Sequence, residues 1–237
     1  SEDLGGGLKA NFGLESTLVN DTGAAGNLFD RQATVGLSGG FGSVNLGRQN
    51  ILGVDSIGLA DPLGLAHPGT NPNVAFSALN AGRLYGEYGT NGGVNQAQLR
   101  QNNSIKYLTP VFSGFGGALM YGFGEQPGNS SARSYTGISG YYTAGAAGGV
   151  ALAYAELNNE TDNSTLTQWG GGAKYRLNTA LELRATYAQN EVDTTNRKIA
   201  VTGLGVNYSI SPALTLTGAY YNTKRSGDIA GKADQYI

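Results

Sequence analysis

The sequence predicts an all-β protein, a transmembrane antiparallel up-and-down β-barrel, and three observations lead there. Apolar and polar residues alternate with a period of two along nearly the whole chain, as in strands with one oily and one wet face. The connections alternate between short Gly/Pro/Ser/Ala turns and longer polar loops. The composition suits neither a soluble domain nor helical spans: 40% of residues are apolar, 14% are charged and 39 are glycine. Charged residues usually make up about 25% and glycine about 7%. No run of roughly 18 apolar residues is present to form a membrane-spanning helix.

Strands are predicted over about 8–16, 28–38, 43–50, 102–109, 116–124, 134–143, 149–158, 166–177, 181–191, 198–210 and 214–224. Most are near the roughly 9–11 residues that a tilted strand needs to cross a bilayer. Tight turns fall at SGGFGS (38–43), TPVFSGFGG (109–117), TAGAAGG (143–149), RLNTALE (176–182) and SISPALT (209–215). Between them lie the polar loops VNDTGAAGN (19–27), EQPGNSSARS (125–134), LNNETDNSTL (157–166), NEVDTTNRK (190–198) and KRSGDIAGKAD (224–234). Short turns at one end and long loops at the other are the pattern of an outer-membrane barrel meander.

The faces of single strands fix the sidedness. In LELRATYAQN, Leu181, Leu183, Ala185 and Tyr187 share one face, and Glu182, Arg184 and Thr186 share the other. Trp169, Ala173, Tyr175 and Leu177 likewise oppose Gln168, Lys174 and Arg176, and Leu8, Ala10, Phe12 and Leu14 oppose Lys9, Asn11 and Glu15. Packed inward, Trp169, Tyr175, Tyr187 and Tyr220 would crowd a narrow interior. Facing lipid, the tyrosines form an aromatic girdle and the polar residues line a wet lumen. The expected lumen lining is therefore Glu15, Lys106, Lys174, Arg176 and Arg184.

One connection breaks the pattern. The chain runs from Ile51 to about Leu99 before the next strand, far beyond the roughly 12–15 residues above which a loop is usually functional or disordered. Its apolar anchors Ile51, Leu52, Val54, Ile57, Leu59, Leu63, Leu65, Val74 and Phe76 need a surface to pack on. In a barrel that surface is the lumen wall, so 51–99 is expected to fold inward.

Other chemistry finds little support. A formal charge of −2 without a basic stripe gives no reason to expect nucleic acid. Zero cysteines removes disulfides, thiolate metal sites and thiol nucleophiles. A lone histidine, His67, builds no metal cluster, and there is no nucleophile-elbow or phosphate-loop motif. No enzyme and no cofactor is expected. A different class stays open, a soluble or surface-exposed β-rich adhesin or carbohydrate-binding module, whose tyrosines would serve a ligand.

The stretches FDRQATVGLSGGFGSVNLGRQ (29–49), VDSIGLADPLG (54–64) and LRQNNSIKYLTPVFSGFGGALMYGF (99–123) resemble the general, trimeric porins of Gram-negative outer membranes. The opening EDLGGGLKANFGLE (2–15) is similar to a turn and strand of that family. The resemblance implies a sixteen-stranded barrel in the outer membrane, a homotrimer, and passive diffusion of ions and small hydrophilic solutes. It implies wall arginines opposite loop acids across a constriction. Arg31 and Arg100 match the wall arginines, Asp61 matches a loop acid, and Asp55 lies on the same loop. Arg48 belongs to the motif but falls near a strand end. Arg31 shares its register with Phe29, Ala33 and Val35, so it reaches the lumen only through a bulge or strand-end shift. Arg100 shares its register with Lys106. Surplus positive wall charge would favour anions.

The strand count is odd whereas single-chain bacterial barrels are even. With a start in a turn and an end at ADQYI, which resembles a strand beginning, 1–237 reads as one porin domain incomplete at both ends. About two strands would precede it and about three would follow, given the family's count.

Overall fold

The computed structural model describes residues 1–18, 22–24, 26, 28–65, 100–124, 127–132, 134–158, 164–194, 196–227 and 230–237. His67 and residues 66–99 of the expected constriction loop lie outside them. Among the described residues the strands are β1 Glu2–Gly5, β2 Leu8–Glu15, β3 Gln32–Gly39, β4 Gly42–Asn50, β5 Arg100–Leu108, β6 Phe115–Gly122, β7 Tyr135–Thr143, β8 Gly148–Asn158, β9 Thr165–Arg176, β10 Leu181–Val192, β11 Arg197–Ser211, β12 Leu214–Ser226 and β13 Gly231–Tyr236. The α-helix α1, Leu52–Gly58, follows β4. Each strand pairs antiparallel with its sequence neighbours in a single 13-stranded sheet ordered β1 to β13. This is the up-and-down meander that the alternating turns and loops require.

The eleven strands expected from the sequence become thirteen. The additions are β1, four residues flanking the turn at Gly5–Gly7, and β13, which takes up GKADQY. Two loops expected at 190–198 and 224–234 shrink, because β10 runs to Val192, β11 starts at Arg197, β12 runs to Ser226 and β13 starts at Gly231. Polarity marks where a strand leaves an apolar layer; it does not end the ladder. Glu191 and Lys198, paired residues of β10 and β11, continue it with a 2.9 Å ion pair. Conversely, β3 starts at Gln32 and not at residue 28, since Phe29 sits at φ 54, a left-handed backbone that breaks the extended run before the strand.

The faces separate as their alternation demands. Trp169, Leu152, Ile138, Leu119, Leu183, Leu204 and Leu216 are exposed, whereas Gln168, Ala153, Met120, Thr186 and Val201 are buried. The exposed side is therefore apolar, the reverse of a soluble protein. The other, inner side is the one against which α1 lies.

Helix α1 has seven residues, too few to be stable alone. It packs on β7, β8, β9 and β10, with Ile51, Leu52 and Val54 joining Ala118, Met120, Tyr135, Ala153 and Ala155 in one buried cluster. Leu52 is 1% exposed, and burying one such side chain contributes about 1.5–3 kcal/mol. The register prepares the seat: Ala151, Ala153 and Ala155 of β8, Gly170 and Gly172 of β9 and Ala188 of β10 fall side by side on the inner face. Larger side chains there would hold the helix off the wall.

Candidate functional site

The charged residues gather in three groups, the second and third of them set by register on the inner face. The first lies at the loop end of β2 to β5. The Arg31 amide donates to the Glu15 carbonyl at 3.1 Å, and its guanidinium lies 3.7 Å from the Glu15 carboxylate. Glu15 continues the inner row of Asn11 and Gly13. Arg31 thus meets an inner-row acid, although simple alternation from β3 would send it outward. Arg48 donates to the Asp30 carbonyl at 2.7 Å and to the Asn102 side-chain oxygen. Arg100 is 6% exposed and lies within electrostatic reach of Arg31 and Arg48, which repel it, and of Asp30 and Glu15, which attract it.

A bulge shapes this group. Ser104 pairs with Gly47 and Gln101 with Gln49, so β5 carries one extra residue, and Asn103 adopts φ 45 there. The parity that links Arg100 to Lys106 in the sequence does not pass through it. Burial and the neighbouring charges, not parity, define the surroundings of Arg100.

Asp30 anchors the preceding loop. Desolvation acts to raise its carboxyl, but the Thr17 hydroxyl at 2.6 Å and the Thr17 amide at 2.7 Å both donate to it. The hydrogen bonds prevail and hold the carboxyl below its ordinary range. Nothing in the local sequence singles this residue out, because its partner lies 13 positions away across a loop.

The second group joins the helix to the wall. Lys106 of β5 is 5% exposed, and its ammonium donates to Asp55 of α1 at 2.8 Å. The Asp55 side chain keeps 46% of its surface exposed. At the start of the helix, the Tyr135 hydroxyl of β7 accepts the Leu52 amide at 3.2 Å, satisfying one of the donors a helix start leaves open.

The third group lies nearer the turn end, on β9 and β10. Lys174 pairs in register with Arg184, and Arg176 with Glu182. Glu182 accepts from Arg176 at 3.0 Å and from Arg184 at 2.8 Å, so one acid serves two guanidinium groups. Arg184 also donates to the Asp61 carbonyl at 2.9 Å. Asp61 is fully buried beneath α1, between its own turn and Tyr221 of β12.

The five residues expected in the lumen lining, Glu15, Lys106, Lys174, Arg176 and Arg184, all fall in inner-face registers. Arg31 and Arg100 fall within electrostatic reach of each other, Asp55 meets Lys106, and Asp61 meets Arg184 of β10 and Tyr221 of β12. Asp30, Tyr135, Glu182 and Tyr221 are contacts that residue type alone does not single out. Glu182 had a signal in the polar face of LELRATYAQN. Among the described residues no cluster of three or more His, Cys, Asp or Glu could hold a metal ion.

Known proteins resemble this chain in sequence and in fold. A profile of the family described as Gram-negative porin matches residues 1–236. Outer membrane porin protein 32 of Delftia acidovorans is 37% identical over 145 residues, 61% of this chain and 38% of that protein. An outer membrane porin protein of Bordetella pertussis is 32% identical over 143 residues, 59% of this chain and 33% of that protein. The match thus spans well under half the length of either curated relative. Among solved structures, an anion-selective porin from Comamonas acidovorans aligns over 100% of this chain and 82% of its own, with a TM-score of 0.58 and 23% identity. A Salmonella typhi OmpF complex with daunomycin aligns over 98% and 72%, with a TM-score of 0.65 and 17% identity. At those identities the likeness is one of fold.

Proposed function

The chain belongs to the Gram-negative porin family, and from that premise we propose that it builds a water-filled channel in the outer membrane. Ions and small hydrophilic solutes cross it by passive diffusion, without chemical turnover or a cofactor, and the working unit is a homotrimer. The observation that carries this reading is the inversion of the two faces. Leu119, Ile138, Leu152, Trp169 and Leu204 cover the outside, whereas Lys106, Lys174, Arg176 and Arg184 lie inside. A lipid layer accepts the first face, and only water accepts the second.

The segment 51–99 is the constriction loop of this proposal. Its described part carries Asp55 and Asp61 onto the inner wall, and Arg31 and Arg100 stand on the wall at the loop end of β3 and β5. Arginine keeps its charge at any working pH and its guanidinium is planar. Cations on the wall opposite Asp55, the exposed acid of the described part of the loop, set up a field across the passage, which orients water and dipolar solutes. The named cations outnumber the named acids, so the lumen concentrates anions.

Reconstitution of the full-length protein in a planar bilayer under a salt gradient tests the proposal. Openings in steps of three with a reversal potential on the anion side are expected. Solubility without detergent and no conductance would return the protein to the soluble adhesin or carbohydrate-binding class.

A further inference from the structure

We infer that Asp61 is the fastening point of the inward loop, and that its charge is spent on the wall and not on the passing solute. The inference rests on the channel reading above and assigns a positioning role within it.

Among the described residues, contacts enclose Asp61 from its own turn and from two strands. One carboxylate oxygen accepts the amides of Leu63 at 3.1 Å and Leu65 at 2.7 Å, closing the turn that follows α1. The other accepts the Tyr221 hydroxyl of β12 at 3.3 Å. The residue's own amide donates to the Ile57 carbonyl at 2.9 Å, and its carbonyl accepts Arg184 of β10 at 2.9 Å. Asp61 and Tyr221 are each 0% exposed. A carboxylate so enclosed has little direct contact with a hydrated ion.

The wall is cut to receive this turn. A Cβ at Gly172 of β9 would stand 2.7 Å from the Ala60 Cβ, and a Cβ at Gly205 of β11 would collide with the Pro62 ring. Any larger residue at either position would push the turn off the strands. Ala60 and Pro62 fill the two gaps, and Asp61 between them bonds to the neighbouring strands. Asp55, with half of its side chain exposed and Lys106 beside it, is left as the loop acid among the described residues that a solute can feel.

Two functions normally assigned together are therefore separable. Asp55 and Lys106 set selectivity, and Asp61 with Tyr221 sets how firmly the loop is held. The pair of variants Asp61→Asn and Tyr221→Phe tests this in the full-length trimer. Asparagine keeps the shape but turns one oxygen into a donor that faces the Leu63 and Leu65 amides or the Tyr221 hydroxyl. Phenylalanine removes only the wall's hydroxyl and leaves the turn intact, so it is the variant least able to prevent folding.

Single-channel recording at fixed voltage gives the primary readout, with reversal potential measured on the same patches. Expected for Tyr221→Phe is a roughly fivefold rise in the frequency of brief closures, the scale of one lost hydrogen bond, at an unchanged reversal potential. Asp61→Asn should give a larger rise, again with little change of reversal potential, whereas Asp55→Asn should do the opposite. Quiet openings in both fastening variants would overturn the inference, as would a reversal potential that moves with Asp61→Asn as far as with Asp55→Asn. Absence of any conductance in the unmodified protein would instead remove the channel reading on which the inference rests.

Discussion

The Lys106 ammonium lies 2.8 Å from the Asp55 carboxylate, so a strand of the wall and the helix on its surface share one ion pair. The lysine is covered and the acid is half exposed, which makes the pair asymmetric toward the lumen. Neutralising Asp55 exposes an uncompensated cation. Neutralising Lys106 leaves an acid that water already screens.

Asp55→Asn is thus expected to raise anion over cation permeability, and Lys106→Gln to lower it. At about 7 Å in a water-like dielectric one charge contributes roughly 0.6 kcal/mol, or roughly a threefold change in the permeability ratio. Reversal potentials under a salt gradient measure it. The effect should fade at about 1 M salt, where the screening length falls to about 3 Å. Persistence at high salt would mean that the substitution moved the loop and did not merely change its charge.

Sidedness is tested by two neighbours on β11. Leu204 is exposed on the outer face, and Asn207, paired with Glu182, is on the inner. Leu204→Arg puts a cation into hydrocarbon at a cost of up to about 2–4 kcal/mol, whereas Asn207→Arg adds one to a wet wall. Folding of the full-length protein into lipid vesicles, followed by urea titration, should show a large loss for the first and a small change for the second. Equal losses would contradict the assignment of faces.

Tyr135→Phe addresses the start of α1. The hydroxyl accepts the Leu52 amide inside the buried cluster, and its loss leaves a donor without that partner. The expected destabilisation is about 1–3 kcal/mol, felt locally by a helix too short to stand alone. Hydrogen exchange at Leu52, Val54 and Asp55 should speed up while the strand amides of β8 and β9 keep their protection. Unchanged exchange at Leu52 would show that packing of Leu52 and Val54 alone holds the helix.

Much of this was legible in the sequence, for a physical reason. Strand alternation is local, so LELRATYAQN alone sets Leu183 and Arg184 on opposite faces, and the β10 registers place Leu183 on the outer face and Arg184 on the inner. Loop ends were harder to read, since residues such as Gly231 and Lys232, which look like loop, already belong to β13 once its partner ladder is known. The seat of the inward turn was hidden for a different reason. Gly172 and Gly205 look like ordinary small residues of curved strands, and only the contact with Ala60 and Pro62, more than a hundred positions away, reveals why they are small. Likewise alternation from Tyr220 puts Tyr221 on the inner face, but only the fold shows that it meets Asp61 there.

Asp30 provides the pH-dependent prediction. The Thr17 hydroxyl and amide lower its carboxyl below the ordinary value. A carboxyl depressed in the folded state stabilises above its unfolded pKa, and that stabilisation is lost as pH falls through the folded value. The loop between β2 and β3 should therefore stay fastened at neutral pH and loosen only below about pH 4, the unfolded value for Asp. Asp30→Asn should loosen it at neutral pH, and the difference from the unmodified protein should vanish in acid. Hydrogen exchange at the Thr17 amide across pH 7 to 3, corrected for its intrinsic pH dependence, measures both. A constant difference across that range would show that Asp30 acts through its shape and not through its charge.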